Sequence, residues 1–80
     1  MRYAVRIVEH TQLGTVESEI LCSDLVDANT RAKSEAYDTA EILIGDWQVQ
    51  ESMVDGRYRA KLFPITGGET IEFTVVGGVA

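Results

Sequence analysis

Eighty residues are enough for one domain, close to the lower size at which a chain folds without a disulfide or a metal. A hydrophobic share of 45% is ordinary for a globular chain, and the single cysteine, Cys22, excludes an internal disulfide. The net charge of −6, from 13 acids against 7 bases, opposes binding to a phosphate backbone and favours basic partners. Cys22 and His10 supply too few ligands for a metal, no cofactor is expected, and a lone cysteine fits a reducing compartment. Arg2, Arg6, Glu9, Glu17 and Glu19 interrupt the apolar positions of the first twenty residues, so no signal-peptide core or membrane span is expected and the chain reads as cytoplasmic.

In chain order, residues 2–9 alternate polar and apolar side chains, which predicts a strand with Tyr3, Val5 and Ile7 toward a core and Arg2 and Arg6 the other way. His10 to Thr15 carries a glycine among polar residues and reads as a loop, with Leu13 placed to cover one end of the core. Val16 to Leu21 follows as a second strand, with Val16, Ser18 and Ile20 on one face and Glu17, Glu19 and Leu21 on the other; the short connection makes the two an antiparallel pair. Ser23 has the chemistry of a helix N-cap, and Asp24 and Asp27 fall in the first turn, where carboxylates meet free N–H groups and the positive end of the dipole. Leu25, Ala28, Ala32 and Ala36 then recur at helical spacing as far as Asp38. That stripe is mostly alanine, so the helix lies close to the sheet and the strands must supply the large side chains. Asp27 with Arg31, and Arg31 with Glu35, form i,i+4 pairs, while Val26, Lys33 and Tyr37 line one flank, Tyr37 at the edge of the core.

Ile42 to Ile44 resumes an apolar run and predicts a strand that bends or bulges at Gly45. Trp47 to Phe63 is a hairpin with Asp55-Gly56 at its tip, because both central positions of a type I′ turn need positive φ and Asp-Gly accepts that at low cost. The register then places Val54 opposite Arg57, Met53 opposite Tyr58, Ser52 opposite Arg59, Glu51 opposite Ala60, Gln50 opposite Lys61 and Val49 opposite Leu62. One face becomes Trp47, Val49, Met53, Tyr58, Ala60 and Leu62; the other becomes Gln48, Gln50, Ser52, Arg57, Arg59 and Lys61. Glu51 falls on the inward face, where a carboxylate reaches solvent beyond the helix edge, serves as a functional buried acid, or marks a bulge that shifts the register. Pro64 ends the fourth strand, Thr66 to Glu69 turns, and Thr70 to Val76 forms the fifth, with Ile71, Phe73 and Val75 inward; residues 77–80 read as a loose tail. The order β-β-α-β-β-β gives a single α+β domain, a largely antiparallel five-stranded sheet with one helix packed on one face. The opposite face is left to solvent or to a partner.

No P-loop, GxSxG, HExxH or paired CxxC occurs, and the glycine pairs at 67–68 and 77–78 open no helix, so phosphate cradling and the common catalytic motifs are excluded. Cys22, just before a helix start, is the best-placed reactive group, yet a free cysteine there is expected to be a buried structural thiol. The chain therefore reads as a binding protein rather than an enzyme. Arg2, Arg6, Arg57, Arg59 and Lys61 share the open face with Glu17, Glu19 and Glu72, whereas Asp24, Asp27, Glu35 and Asp38 belong to the helix. The molecule is polarised between a mixed sheet face and an acidic helix side.

Taken together, YAVRIVEH, GTVESEILCSDLVDANTRAKSEAYD and AEILIGDWQVQESMVDGRYRAKLF resemble the small phage-encoded anti-CRISPR proteins that act on type I systems, in size, element order and the Ala-rich helix followed by a Val-Asp-Gly hairpin. The resemblance implies a non-enzymatic inhibitor that binds a protein subunit of the crRNA-guided surveillance complex (Cascade) and blocks target DNA by covering a basic surface, with no direct nucleic-acid contact and as a monomer. Family members differ in the face they use, so no functional residue transfers by motif. A second resemblance, to the HicB-type antitoxin domain, rests on the Met-Arg-Tyr opening and ends near Glu9, where a Pro-Asp-Leu-Pro-Gly-like strand and a DNA-binding tail are missing.

On the first reading, the contact residues are Asp24, Asp27, Glu35 and Asp38, or alternatively Glu17, Glu19 and Glu72, while Arg57, Arg59 and Lys61 mark the competing face. The alternatives are a small nucleic-acid-binding or antitoxin-like module that uses the basic sheet face, and a phage or bacterial assembly protein that pairs through an edge strand.

Overall fold

Alternating side chains along residues 2–11 and 14–22 build strands β1 (Arg2–Thr11) and β2 (Gly14–Cys22), which the computed structural model shows paired antiparallel from Tyr3 opposite Cys22 to Thr11 opposite Gly14. The structure describes residues 2–79. The expected loop over 10–15 is much tighter, because His10, Thr11, Gly14 and Thr15 all belong to strands and only Gln12 and Leu13 turn. Thr11 closes that turn: its hydroxyl donates to the Gly14 carbonyl at 3.0 Å and accepts from the Leu13 N–H at 3.2 Å. Leu13 covers nothing and stands fully in solvent at the tip.

Helix α1 spans Leu25–Ile42, four residues beyond the expected end at Asp38. Asp24, not Ser23, is its N-cap, with Oδ1 accepting from the Asp27 N–H at 2.8 Å. Ser23 instead donates its N–H (3.2 Å) and its hydroxyl (3.4 Å) to Asp27 Oδ2, so Asp27 links Ser23 to the Asp24 cap at the helix start. That use of Asp27 replaces the expected Asp27–Arg31 pair; the Arg31–Glu35 pair forms, at 2.9 Å. The helix continues because Ala40 and Leu43 extend the inward stripe of Ala28, Ala32 and Ala36 and pack against the core. Leu43 caps it by donating its N–H to the Thr39 carbonyl, and the chain leaves through Gly45 at φ 101°, so Gly45 follows a helix end rather than bulging a strand, and 42–44 form no strand.

The hairpin of β3 (Trp47–Val54) and β4 (Arg57–Pro64) has the register read from the Asp-Gly turn at every pair, with φ 53° at Asp55 and 75° at Gly56. Strand β5 (Thr70–Val79) runs three residues past Val76 and stays paired with β1 to Arg2 opposite Val79, across a register shift between Arg2 and Tyr3. The bulge carries the ladder over Gly77 and Gly78, where a loose tail was expected; Ala80 lies outside the described residues.

All pairings are antiparallel and the spatial order is β2-β1-β5-β4-β3, so α1 connects the two edge strands and crosses one face of the sheet. The architecture is α+β in a single domain. Val5, Leu62, Phe73 and Val75 supply the bulk of the core against Ala28, Ala32 and Ala36, all buried. Ala4, between Leu21 and Val76, is the one buried side chain of the other face among the described residues.

Candidate binding surfaces

Along α1, positions 24, 27, 31, 35 and 38 are three or four residues apart and so form one stripe, displaced by one residue from the buried stripe 25, 28, 32 and 36. Asp24, Asp27, Glu35 and Asp38 therefore share a flank, with Arg31 set among them and held by Glu35. This flank lies toward β2. Burial, then the nearby Asp27 and Asp24 carboxylates, push the Cys22 thiol up from its ordinary value against the pull of Arg31. Cys22 is buried in the core. Asp24 and Asp27 already serve as caps, whereas Glu35 and Asp38 are free of that duty.

Glu17, Glu19 and Glu72 lie on the opposite face, so the structure keeps the two sets of acids apart. Glu19 takes the Arg6 guanidinium at 3.3 Å and Glu72 approaches His10 at 3.5 Å, both pairs exposed and worth little individually. Across this face one row reads Glu19, Arg6, Thr74, Arg59, Ser52 and the next Glu17, Val8, Glu72, Lys61, Gln50. Arg59 and Lys61 border a shallow depression of about 300 Å³ with Gln50, Ser52, Glu72 and Thr74. Arg57 is drawn aside: its guanidinium lies 5.8 Å from the centre of the Tyr3 ring, over Gly77, where a Cβ would stand 2.8 Å from Arg57 Nη2. The three bases of the hairpin thus divide into an exposed pair and one that is half-buried against an aromatic ring.

The helix flank away from the acids meets the hairpin. Asn29 donates its amide to the Gly56 carbonyl at 2.9 Å and accepts from the Tyr58 N–H at 3.0 Å, so one side chain ties α1 to the turn. Glu51 accepts from the Tyr58 hydroxyl at 2.7 Å and the Tyr37 hydroxyl at 3.1 Å. Its register is unbroken and it is exposed, as expected of a carboxylate beyond the helix edge. The Tyr58 hydroxyl first, with Tyr37 and the Lys33 charge adding, holds Glu51 below the ordinary carboxylate range against a smaller desolvation. Burial first, then the bond to Glu51, pushes Tyr58 well above its ordinary value; the same carboxylate raises Tyr37.

Asn29, Lys33, Glu51 and Tyr58, with Met53, line a groove of about 390 Å³ between α1 and the edge strand β3. Both partners are tuned away from neutrality, the carboxylate downward and the phenols upward, which is the wrong direction for proton transfer near pH 7. The cluster is built to hydrogen-bond and to hold two elements together. The residues Asn29 and Tyr37–Glu51–Tyr58 were not assigned these roles from sequence. The readable signal was an inward Glu51 diagonal to Tyr58 on the hairpin register.

Among the described residues no group of three or more His, Cys, Asp or Glu side chains is placed to hold a metal ion. No helix among them is long and apolar enough to cross a membrane. Set against family models, curated proteins and solved structures, the chain matches none.

Proposed function

We propose that this chain is a non-enzymatic inhibitory binding protein of the anti-CRISPR kind, working in the cytoplasm by covering a basic surface on a type I surveillance complex and so blocking its target DNA. The observation that carries the reading is the stripe of Asp24, Asp27, Glu35 and Asp38 along one helix flank of a chain with net charge −6. A row of carboxylates at helical spacing presents fixed negative charge to lysines and arginines that otherwise hold a nucleic-acid backbone.

The competing surface is the open sheet face, where Arg59 and Lys61 have no ion-pair partner among the described residues. Nucleic acid would be its ligand, but Tyr58 points to the helix side and offers no base a platform.

The test is co-elution of the purified protein with type I complexes at low and high salt, followed by DNA binding to the mixture. Combined Asp24→Asn, Asp27→Asn, Glu35→Gln and Asp38→Asn substitutions keep the capping geometry, since Asn also caps, while removing the charge. They are expected to abolish co-elution and restore DNA binding, whereas Arg59→Glu with Lys61→Glu leaves both as in the parent. Failure to co-elute with any type I complex at low salt overturns the reading; retardation of free nucleic acid in a gel shift moves the function to the sheet face.

A further inference from the structure

The sheet has two edges and they are protected differently. Strand β2 carries Glu17 and Glu19 on consecutive outward positions, charges that resist strand addition. Strand β3 has no proline, lysine, glycine or bulge in its eight residues, and its single charge, Glu51, is already engaged by two tyrosine hydroxyls. It is the least charged edge of an acidic molecule. Met53, 59% exposed, and Val54 lie along it.

The hairpin turn determines which backbone groups this edge offers. In a two-residue loop Val54 and Arg57 form the hydrogen-bonded pair that closes the turn, so Val54, Ser52, Gln50 and Gln48 direct their N–H and C=O groups toward β4. Pro64 agrees with this, for it faces Trp47 at a position that asks no N–H of it. The groups left pointing outward belong to Trp47, Val49, Glu51 and Met53, a set symmetric about Gln50.

We propose that β3 pairs antiparallel with β3 of a second copy of this chain, about a two-fold axis through Gln50, to give a continuous ten-stranded sheet with both helices on one side. In that register Trp47 pairs with the second copy's Met53 and Val49 with its Glu51, so every outward backbone group is used. Met53 is covered by the indole, and Gln50 meets Gln50 on the open face. Sliding by one pair in one direction sets Glu51 directly against Glu51; sliding in the other leaves Met53 unpaired. The symmetric register alone completes the ladder with the two carboxylates diagonal rather than directly opposite.

The experiment uses the purified full chain with no partner present, so its result is independent of the inhibitory function. Light scattering from about 1 µM to about 1 mM is expected to show a shift from the 8.8 kDa chain to twice that mass. Gln50→Cys sits at a non-hydrogen-bonded pair on the axis, with Cα atoms about 4.5 Å apart, inside the span of a disulfide. It is expected to cross-link under mild oxidation, Cys22 being buried. Ser52→Cys, about 14 Å from its counterpart along the strand, is expected not to. Gln50→Lys places two ammonium groups on the axis and is expected to weaken the dimer about tenfold or more, with the circular dichroism of the monomer unchanged. A chain that stays monomeric at the highest concentration overturns the proposal. So does cross-linking of Ser52→Cys as readily as Gln50→Cys, or a dimer indifferent to Gln50→Lys.

Discussion

Glu51 and Tyr58 lie on adjacent strands with side chains on the same side, and their 2.7 Å bond couples two titrations of opposite sense. Because the Tyr58 hydroxyl holds Glu51 below its ordinary value, the contact stabilises the fold fully above about pH 4.3 and is lost as pH falls through the lower folded value. Tyr58 is raised, by burial first, so its contribution is complete below about pH 10 and is lost as pH rises toward its folded value. Tyr58→Phe is expected to lower stability by about 1 kcal/mol near neutrality, the usual net worth of a hydrogen bond. Urea midpoints measured from pH 3 to 11 should show the variant's stability profile flatter than the parent's at both ends. Single-residue detail of this kind was partly legible in the sequence. The inward position of Glu51, diagonal to Tyr58, followed from the Asp-Gly register, but its second partner did not, since Tyr37 reaches it from another element. Arg57 shows the same limit from the other side: the register placed it among three bases, while the Tyr3 ring that draws it away comes from the opposite end of the chain.

At the scale of elements, the hairpin was readable pair by pair because only one turn geometry suits Asp55-Gly56. The end of α1 was not, for a physical reason visible in its exposures. In Ile42-Leu43-Ile44 only Leu43 packs inward, while Ile42 and Ile44 stand 80% and 98% exposed, and three apolar residues in a row carry no period that separates helix from strand. The acidic stripe was legible as residues at helical spacing; that Asp24 and Asp27 are also caps emerges only with the position of the helix start. Beside the Tyr37–Glu51 bond, helix is joined to hairpin by the Asn29 amide, whose partners are backbone atoms 27 and 29 residues away, a separation at which sequence pattern is silent. Asn29→Ala leaves the Gly56 carbonyl and Tyr58 N–H without that partner and is expected to cost about 1–3 kcal/mol. Hydrogen exchange should locate the effect: the amide of Tyr58 exchanges faster in the variant, while amides of β1 and β2 change only with the global loss.

For the whole molecule, the candidate contact acids divide between a helix flank that also holds Arg31 and the far face of the sheet, where Glu17, Glu19 and Glu72 lie among Arg6, Arg59 and Lys61. The adjacency of the first and last strands has a further consequence, in the order of assembly rather than in binding. β1 with β2, and β3 through β5, are local hairpins, whereas the central β1–β5 pairing must close almost the full length of the chain. Arg2 and Val79 are neighbours, so a short linker can join them. Reopening the circle between Cys22 and Ser23 leaves the Asp24 cap intact and makes chain order and spatial order coincide as β3-β4-β5-β1-β2. Such a permutant is expected to refold about tenfold faster in stopped-flow measurements, by removing the long closure, with little change in unfolding rate. Joined end to end the sheet is a plain meander, so the long closure depends on where the chain is cut.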